Sequence, residues 1–266
     1  FITSPTYDGV VSDVRAIAEV VHRKHLPLIV DEAHGAHFPF STFFPEDSVK
    51  SGADVVIHSV HKTLPSLTQT ALIHLNGNLA DRQKIRYFLS VYQTSSPSYV
   101  LMAGIDQCME WTASHQSEFD IFGERLDQFR YRIQDLEAIK LLEVQGMDRS
   151  KILLSAAERG VSGQELSDLL RKEHHIEMEM ACSTYACAIT TVADGEEELS
   201  RFAQALEQLD QMLEARPEQS LGEREKDTVI RTEQIYTIAQ AFQKETCFCA
   251  VKETEGAVSG GFVMPY

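Results

Sequence analysis

The sequence predicts an α/β fold in which a mostly parallel sheet flanked by helices is followed by a smaller α/β domain. Residues 26–30, LPLIV, are a short continuous apolar run, as expected for a parallel strand buried on both faces. A helical pattern precedes this run, and strand and helix patterns continue to alternate along the chain. After about residue 138 the alternation changes character, which indicates the second domain.

Apolar spacing defines the first elements. Residues 12–24 have the period of a helix, with Ser12 available as an N-cap. The apolar positions of this helix are Val14, Ile17, Ala18 and Val21. Residues 53–63 and 70–75 are expected to be strands, and residues 79–91 are expected to be a helix.

The rest of the chain predicts one long helical region and then a compact group of elements. Residues 98–138 are expected to be helical throughout, with an apolar side formed by Trp111, Phe119, Phe122 and Leu126. Three strands and two helices follow; the strands are residues 151–156, 175–181 and 185–193, and the helices are residues 162–173 and 195–215.

Composition limits the possible functions. The 266 residues carry a formal net charge of −16, without a basic stripe that could neutralise phosphates, which argues against nucleic-acid binding. Five cysteines in a chain of this length suggest reduced thiols and a cytoplasmic protein. No apolar run approaches the roughly 18 residues of a membrane helix. We therefore expect a small-molecule partner, with neither nucleic acid nor membrane bound.

Both ends of the sequence resemble the interior of a domain. The first residues, FITSPTYDG, predict the end of a buried strand followed by a turn, and the last, GAVSGGFVMPY, stop in an apolar stretch. Residues 214–227 are polar and contain Pro and Gly, which indicates a linker before a further unit. We expect the sequence to be a piece of a longer protein, shortened at both ends.

The tetrapeptide DEAH at 31–34 permits several kinds of site. A helicase would use it to hold Mg²⁺ beside a nucleotide, but the phosphate-binding loop GxxxxGK[ST] is absent from this sequence. Two HxxH pairs, His34 with His37 and His58 with His61, resemble metal ligands. Residues three apart on an extended strand point to opposite faces, so His58 and His61 would not converge on one ion, and we expect no metal site.

A third interpretation combines Asp31 with Lys62. Each follows a predicted buried strand, and ligands of open α/β sheets bind at the carboxyl ends of strands. A lysine desolvated at such a place forms Schiff bases. A nearby carboxylate can hold the protonated pyridine nitrogen of pyridoxal 5'-phosphate and keep its ring an electron sink.

Longer blocks of sequence make this interpretation specific. Residues 31–38 (DEAHGAHF), 59–74 (SVHKTLPSLTQTALIH) and 93–106 (QTSSPSYVLMAGID) resemble successive blocks of the Orn/Lys/Arg decarboxylase family, fold-type I enzymes dependent on pyridoxal phosphate. Residues 241–245 (AFQKE) and 256–266 (GAVSGGFVMPY) are similar to the C-terminal domain of that family. The resemblance covers essentially the whole chain in the right order.

The resemblance implies roles for individual residues. Lys62 resembles the lysine that forms the internal aldimine with the coenzyme, and Asp31 matches the partner of the pyridine nitrogen. Ala33 matches the small residue packed against the ring, and His34 stands where the family contacts the phenolic oxygen. Catalytic roles are thereby expected for Lys62, Asp31 and His34.

Further matches concern the phosphate of the coenzyme. Ser59 and His61 match phosphate-contacting residues, although a serine at such a position can also serve only to cap backbone groups. Thr94 matches a residue that reaches the phosphate of a neighbouring subunit, which implies a homodimer or a higher homo-oligomer. The family's phosphate-binding loop and ring-stacking residue correspond to positions before Phe1.

The resemblance also implies a domain organisation. Residues 1–125 are expected to be the C-terminal portion of the large coenzyme-binding domain, which has a fold-type I transferase-like sheet. Residues 126–216 are expected to be a small α/β domain, 217–227 a linker, and 228–266 the start of a C-terminal decarboxylase domain.

The implied activity is decarboxylation of lysine, ornithine or arginine to the corresponding amine and CO₂. Another reaction on the same fold, such as that of an aminotransferase, aldolase or desulfurase, remains an alternative. A non-catalytic protein that keeps the fold for assembly is a second alternative. The residue that would grip the distal amine of the substrate is not identifiable from the sequence.

Overall fold

The computed structural model describes residues 1–218, 235–241, 243–247, 250 and 256. The chain divides into two compact units, residues 1–222 and 223–266. The predicted linker and the block of resemblance at 256–266 lie largely outside the described residues, whereas four of the five residues of the block at 241–245 are described. In the second unit the structure describes one short helix, Ile238–Ala241.

The first sheet contains four strands in the order β1-β2-β3-β4. Strands β1 (Ile2–Thr3), β2 (Ile29–Asp31) and β3 (Val55–Ser59) are parallel, whereas β4 (Ala71–Leu75) is antiparallel to β3. The register pairs Asp31 with Ile57. The expected mostly parallel sheet is therefore confirmed, and β2 and β3 end at the same edge.

Helix α1 (Val14–His22) covers one face of this sheet. Val14 and Ala18 are buried together with Val30 of β2 in a small apolar cluster. Asp13 caps the helix by accepting a hydrogen bond from the backbone N–H of Ala16 at 3.0 Å. The expectation that Ser12 is the cap was thus wrong by one residue.

The chain turns from strand to helix immediately after β3. The ladder with β4 ends at the pair of Ser59 with Ala71, and Val60–Thr63 forms the short helix α2. The prediction of one strand over residues 53–63 was therefore wrong in its last four residues. It was wrong because the antiparallel partner, which sequence periodicity does not show, runs out at Ser59. Lys62 consequently lies on a helical turn at the carboxyl end of β3.

Three further helices follow β4: α3 (Arg82–Tyr92), α4 (Tyr99–Ser114) and α5 (Gln116–Ile133). The expected continuous helix over 98–138 is interrupted at His115, whose φ and ψ of −126° and 37° are not helical, and it ends at Ile133. The imidazole of His115 stacks on Trp111 at 4.8 Å. This local contact competes with helix continuation.

The second sheet is antiparallel, with the order β5-β6-β8-β7. Its strands are β5 (Lys140–Leu142), β6 (Lys151–Ser155), β7 (Met180–Ala181) and β8 (Ala186–Ile189). Helices α6 (Gly163–His174) and α7 (Glu196–Glu214) accompany it, as expected. β5 was not anticipated, because a three-residue strand has no periodicity of its own. β7 is much shorter than the predicted strand over 175–181.

One apolar cluster joins the turn after β3 to the second sheet. It includes Val60 of α2, Phe119 of α5, Ile152 of β6 and Leu206 of α7, each with 1% or less of its surface exposed. The buried residue Val30 of β2 belongs instead to the separate cluster with α1. The division of residues 1–218 at residue 125 stays a prediction.

The described residues contain no helix that is both long enough and apolar enough to cross a membrane. Four cysteines fall within the described part of the chain, and all four are free thiols. Cys249 lies outside it.

The loop between α5 and β5 is tied to α7 by one carboxylate. Asp210 is buried and accepts hydrogen bonds from the backbone N–H groups of Glu137, Ala138 and Ile139 at 3.0, 2.8 and 2.7 Å. Removing an acceptor leaves its buried donors without partners, which is more costly than the loss of the bond itself.

We predict that Asp210→Ala lowers the free energy of unfolding by about 3 kcal/mol, because it leaves three N–H groups unpaired. Urea denaturation followed by circular dichroism measures the change. The control is Glu214→Ala, an exposed position on the same helix, for which we expect a change within about 0.5 kcal/mol. Equal changes in the two variants would contradict the anchoring role of Asp210.

Candidate active site

Lys62 and His34 meet where β2 and β3 end. Lys62 Nζ lies 3.0 Å from His34 Nε2. His34 follows β2 in the DEAH loop, and Lys62 lies in α2 directly after β3. Because β2 and β3 are neighbouring parallel strands, the two side chains reach the same edge of the sheet. The structure therefore brings these two predicted site residues into contact.

His34 is buried and touches a second lysine. Its Nδ1 lies 3.1 Å from Lys151 Nζ, and its ring meets the ring of Tyr7 edge-on at 4.8 Å. Burial, reinforced by the positive charges of Lys151 and Lys62, lowers the pKa of His34 to about 3. His34 is therefore neutral at physiological pH. Lys62, His34 and Lys151 are called the lysine–histidine cluster below.

Asp31 is the last residue of β2 and its side chain is half-buried. Its Oδ1 accepts a hydrogen bond from the backbone N–H of Ala33 at 3.1 Å, which orients the carboxylate over the start of the DEAH loop. The carbonyl of Asp31 accepts a bond from Ser4 N at 3.0 Å and so extends the pairing with β1. Ala33 presents only a methyl group beside this carboxylate.

Ser59 and His61 flank the start of α2. Ser59 occupies the N-cap position without a capping hydrogen bond from its side chain. His61 Nδ1 donates to the carbonyl of Thr70 at 2.8 Å, which leaves Nε2 pointing away from that bond. The adjacent Thr63 Oγ1 is buried, and among the described residues it has no hydrogen-bond partner. Polar side chains next to Lys62 in the chain thus have hydrogen-bonding capacity to spare.

Thr94 stands apart from these residues. It lies in the exposed segment between α3 and α4, where its Oγ1 accepts a hydrogen bond from Ser96 N at 3.1 Å. Within the described part of the chain, the hydrogen bond of Thr94 is to Ser96 and not to the lysine–histidine cluster. This placement agrees with the expectation that Thr94 would act on a neighbouring subunit, but it does not test it.

Lys151 is a site residue that the sequence interpretation missed. It begins β6, exposes none of its surface, and has its pKa lowered by burial and by the charge of Lys62, against the opposing effect of Asp148. The sequence gives one hint that this lysine is buried, since Lys151 is the first residue of the apolar segment KILL. A strand-end lysine is usually exposed, so the hint does not identify a site.

A buried carboxylate accompanies Lys151. Asp148 Oδ1 accepts hydrogen bonds from His37 Nε2 at 3.2 Å and from the hydroxyl of Ser150 at 2.7 Å. Burial acts to raise the pKa of Asp148, but the charges of His37 and Lys151 bring it below its ordinary value. Asp148 therefore stays ionised and supplies a negative charge beneath the site.

The glutamate of DEAH has a structural role. Glu32 is 1% exposed and accepts hydrogen bonds from His58 Nε2 at 2.7 Å and from the hydroxyl of Ser48 at 2.6 Å. Gly35 permits this arrangement, because a Cβ there would stand 2.6 Å from Glu32 Cγ. His58 belongs to β3, so Glu32 joins the ends of β2 and β3.

The histidines of the two HxxH pairs all have protein partners. His37 contacts Asp148, His58 contacts Glu32, and His61 contacts the carbonyl of Thr70. The argument from an extended strand does not hold for His61, which lies in α2. Among the described residues, no group of three or more His, Cys, Asp or Glu side chains is arranged to hold a metal ion.

Comparison with known proteins identifies relatives of this chain. Residues 1–152 match the family model described as Orn/Lys/Arg decarboxylase, major domain. An arginine decarboxylase of Bacillus subtilis is 28% identical over 276 residues, an alignment that covers 100% of this chain and 56% of the relative. The chain therefore spans little more than half the length of the curated relatives that it matches first.

Solved structures establish the fold. A lysine decarboxylase of Francisella novicida superimposes with a TM-score of 0.65 at 15% identity, covering 80% of this chain and 36% of the other. The constitutive lysine decarboxylase of Escherichia coli gives a TM-score of 0.65 at 18% identity, covering 79% of this chain and 36% of the other. The predicted fold-type I class is confirmed.

The low pKa of His34 has a measurable consequence. In the unfolded chain a histidine binds a proton near pH 6.5, whereas folded His34 binds one only near pH 3. Between these values the unfolded state holds more protons, so His34 contributes a loss of folding stability as the pH falls from about 6.5 towards 3. We predict that the His34 resonance, assigned with His34→Gln, does not titrate between pH 5 and 8 in NMR spectra of the folded protein. It should titrate in urea, and a folded-state midpoint above pH 5 would refute the assignment of a neutral, desolvated ring.

Proposed function

Because the chain belongs to the Orn/Lys/Arg decarboxylase family, we propose that it is part of an enzyme that removes CO₂ from lysine, ornithine or arginine, with pyridoxal 5'-phosphate held at Lys62. The observation that carries this proposal is the 3.0 Å contact of Lys62 with the neutral His34 at the carboxyl ends of β2 and β3. Ligands of α/β sheets bind at this edge.

The residues at this edge fit the coenzyme. An amine, a carboxylate and a small methyl side chain are supplied by Lys62, Asp31 and Ala33. The hydroxyl of Ser59 has no capping bond, and the imidazole of His61 keeps one nitrogen free of its bond to Thr70. A hydroxyl and an imidazole beside a lysine are suitable partners for a phosphate.

Each side chain has a distinct proposed task. When bound, pyridoxal phosphate supplies a sink for the electron pair that remains when the bond to the carboxylate breaks. Asp31 holds a proton on the pyridine nitrogen, because a carboxylate next to that nitrogen favours its protonated form. His34, whose Nε2 lies 3.0 Å from the Lys62 amine, would contact the phenolic oxygen of the coenzyme.

The exposed helix α3 supports the proposed homodimer. None of its residues is buried, yet it carries Tyr87, Phe88, Val91 and Tyr92, which are between 42% and 82% exposed. Tyr99 and Val100 at the start of α4 are also exposed. Contiguous apolar surface of this kind marks an interface. Thr94 lies between these two helices, as expected if it serves the coenzyme of a second copy.

We predict that incubation with pyridoxal phosphate and then borohydride places a pyridoxyl group on Lys62, found by peptide mass spectrometry. Lys62→Ala should abolish specific labelling, whereas Lys172→Ala, an exposed lysine on α6, should leave it unchanged. In a version extended to the length of the relatives, Lys62→Ala should reduce CO₂ release on the order of 10³-fold.

The products separate the competing functions. CO₂ and the matching diamine or agmatine from one of the three amino acids support the proposal. A keto acid from a protein labelled at Lys62 would keep the coenzyme but replace decarboxylation by transamination. Labelling at other lysines only, or full activity of Lys62→Ala, would overturn the assignment of the site.

We also predict that the double variant Phe88→Asp/Val91→Asp weakens self-association at least about thirtyfold, because charged groups would replace apolar contacts of about 2 kcal/mol or more. Sedimentation equilibrium measures the dissociation constant. Val20→Asp, at an exposed apolar position on α1, is the matched control and should leave association unchanged. A monomeric wild-type protein would exclude the dimer.

A further inference from the structure

The DEAH loop contacts the second sheet through two histidines. His34 Nδ1 lies 3.1 Å from Lys151 Nζ, and Asp148 Oδ1 accepts a hydrogen bond from His37 Nε2 at 3.2 Å. The two histidines are three residues apart in the loop, and their partners are three residues apart where the chain enters β6. These partners lie 117 and 111 residues further along the chain. The proposed function gives a task to His34 but none to Asp148 or Lys151.

All four of these side chains are buried. Asp148 and Lys151 expose none of their surface, so water cannot replace either of them as a partner of its histidine. Asp148 stays ionised, because the charges of His37 and Lys151 hold its pKa down against the effect of burial. An ionised carboxylate only accepts, so its contact with His37 is a charge-assisted hydrogen bond. The ring of His37 is also held edge-on by Phe44 at 4.5 Å.

The segment that carries Asp148 and Lys151 is fixed by hydrogen bonds that do not involve the DEAH loop. The N–H and the hydroxyl of Ser150 donate to Asp148 Oδ1 at 3.0 and 2.7 Å. Arg130 of α5 donates to the carbonyl of Lys151 at 2.8 Å. The N–H and the hydroxyl of Thr190, directly after β8, donate to the carbonyl of Ser150 at 3.1 and 2.7 Å. The segment can therefore serve as a support for the loop.

The imidazole of His34 needs such a support. Residues 32–37 lie in neither helix nor strand, between β2 and the short 3-10 helix Phe38–Phe40. The torsion that turns a histidine ring about its bond to Cβ has broad minima, so the backbone alone does not fix the plane of the ring. Lys62 contacts only Nε2, at 3.0 Å. The contact of Lys151 with Nδ1 supplies a second point, and two points on one ring restrict its orientation.

We propose that Asp148 and Lys151 are positioning residues that hold the DEAH loop by His37 and His34, and so keep His34 Nε2 directed at Lys62. The contact with Lys151 restrains the ring whichever of the two groups donates the hydrogen bond. The importance of this restraint for the reaction rests on the proposed function, which places His34 against the coenzyme. Such sites require their side chains to be held within about 0.5 Å of the productive geometry.

The first test asks whether Lys151 is the partner of His34 Nδ1 in the protein without coenzyme. Two-bond ¹⁵N–¹H NMR correlation gives separate resonances for the two ring nitrogens, which His34→Gln assigns. We expect Lys151→Met to shift the Nδ1 resonance, because this nitrogen loses its partner. Lys172→Met, at an exposed position on α6, is the matched control and should shift neither nitrogen. An unshifted Nδ1 resonance in folded Lys151→Met would overturn the proposal.

The second test asks whether the two contacts hold the loop. The N–H of Gly35 donates to the carbonyl of Glu32 at 2.9 Å, so its hydrogen exchange reports opening of the loop. Lys151→Met and His37→Phe each remove one contact, and each should speed this exchange at least about tenfold. Lys172→Met should leave it unchanged. Amides of α7 should exchange equally in all the proteins, which shows that the rest of the fold is intact. Unchanged exchange of Gly35 in either folded variant would contradict the proposal.

The third test measures the consequence at Lys62. Borohydride trapping at limiting pyridoxal phosphate gives the labelled fraction of Lys62 in the unaltered protein, Lys151→Met, His34→Gln and the double variant. We expect Lys151→Met to lower labelling at least about threefold, and the double variant to match His34→Gln, because Lys151 acts through His34. Additive losses would overturn the proposal. Absence of labelling in the unaltered protein would count against the proposed function instead, and the first two tests decide the role of Asp148 and Lys151 without coenzyme.

Discussion

The parallel pairing of β2 with β3 is the constraint on which the candidate site depends. Its register sets Val30 beside Val56 and Asp31 beside Ile57, so β2 ends two residues before β3 does, at the same edge of the sheet. The DEAH loop leaves one strand and α2 leaves the other at this same edge. Backbone hydrogen bonds of the ladder therefore determine where His34 and Lys62, which are 28 residues apart in the chain, can meet.

Buried polar contacts also stabilise the edge of the sheet where β2 and β3 end. Glu32 accepts a hydrogen bond from His58 Nε2 at 2.7 Å, with 2% and 6% of their side chains exposed, and His58 Nδ1 in turn faces His74 Nε2 at 3.1 Å on β4. Removing one member of this pair leaves a buried polar group without its partner, which costs about 1–3 kcal/mol. Three strands are thus tied together by side chains as well as by backbone. The loop that carries Asp31 and His34 therefore starts from a rigid base, which a preorganised site requires.

The sequence was sufficient to predict those features that depend only on residues close together in the chain. The apolar run before Asp31, the amphipathic helices α1, α6 and α7, and the placement of Asp31 and Lys62 after strands all follow from local patterns. The end of β3 at Ser59 and the break at His115 depend on contacts with β4 and with Trp111. Such contacts join segments that periodicity treats separately. The site residues showed the same limit, since His34 was recognised within its motif but its contact with Lys151 was not.

Lys151 was hidden because 117 residues separate it from His34, and because lysine is the residue least expected in a core. Its burial has an electrostatic reason. The interior around the cluster holds an ionised carboxylate, Asp148, whose charge raises the pKa of Lys151 against the effect of burial. The net charge of −16 that the chain carries cannot take the place of this carboxylate, because exposed charges more than about 8 Å away are screened by salt. A carboxylate fixed in the buried interior is not screened in this way, and the low local dielectric strengthens its effect on Lys151.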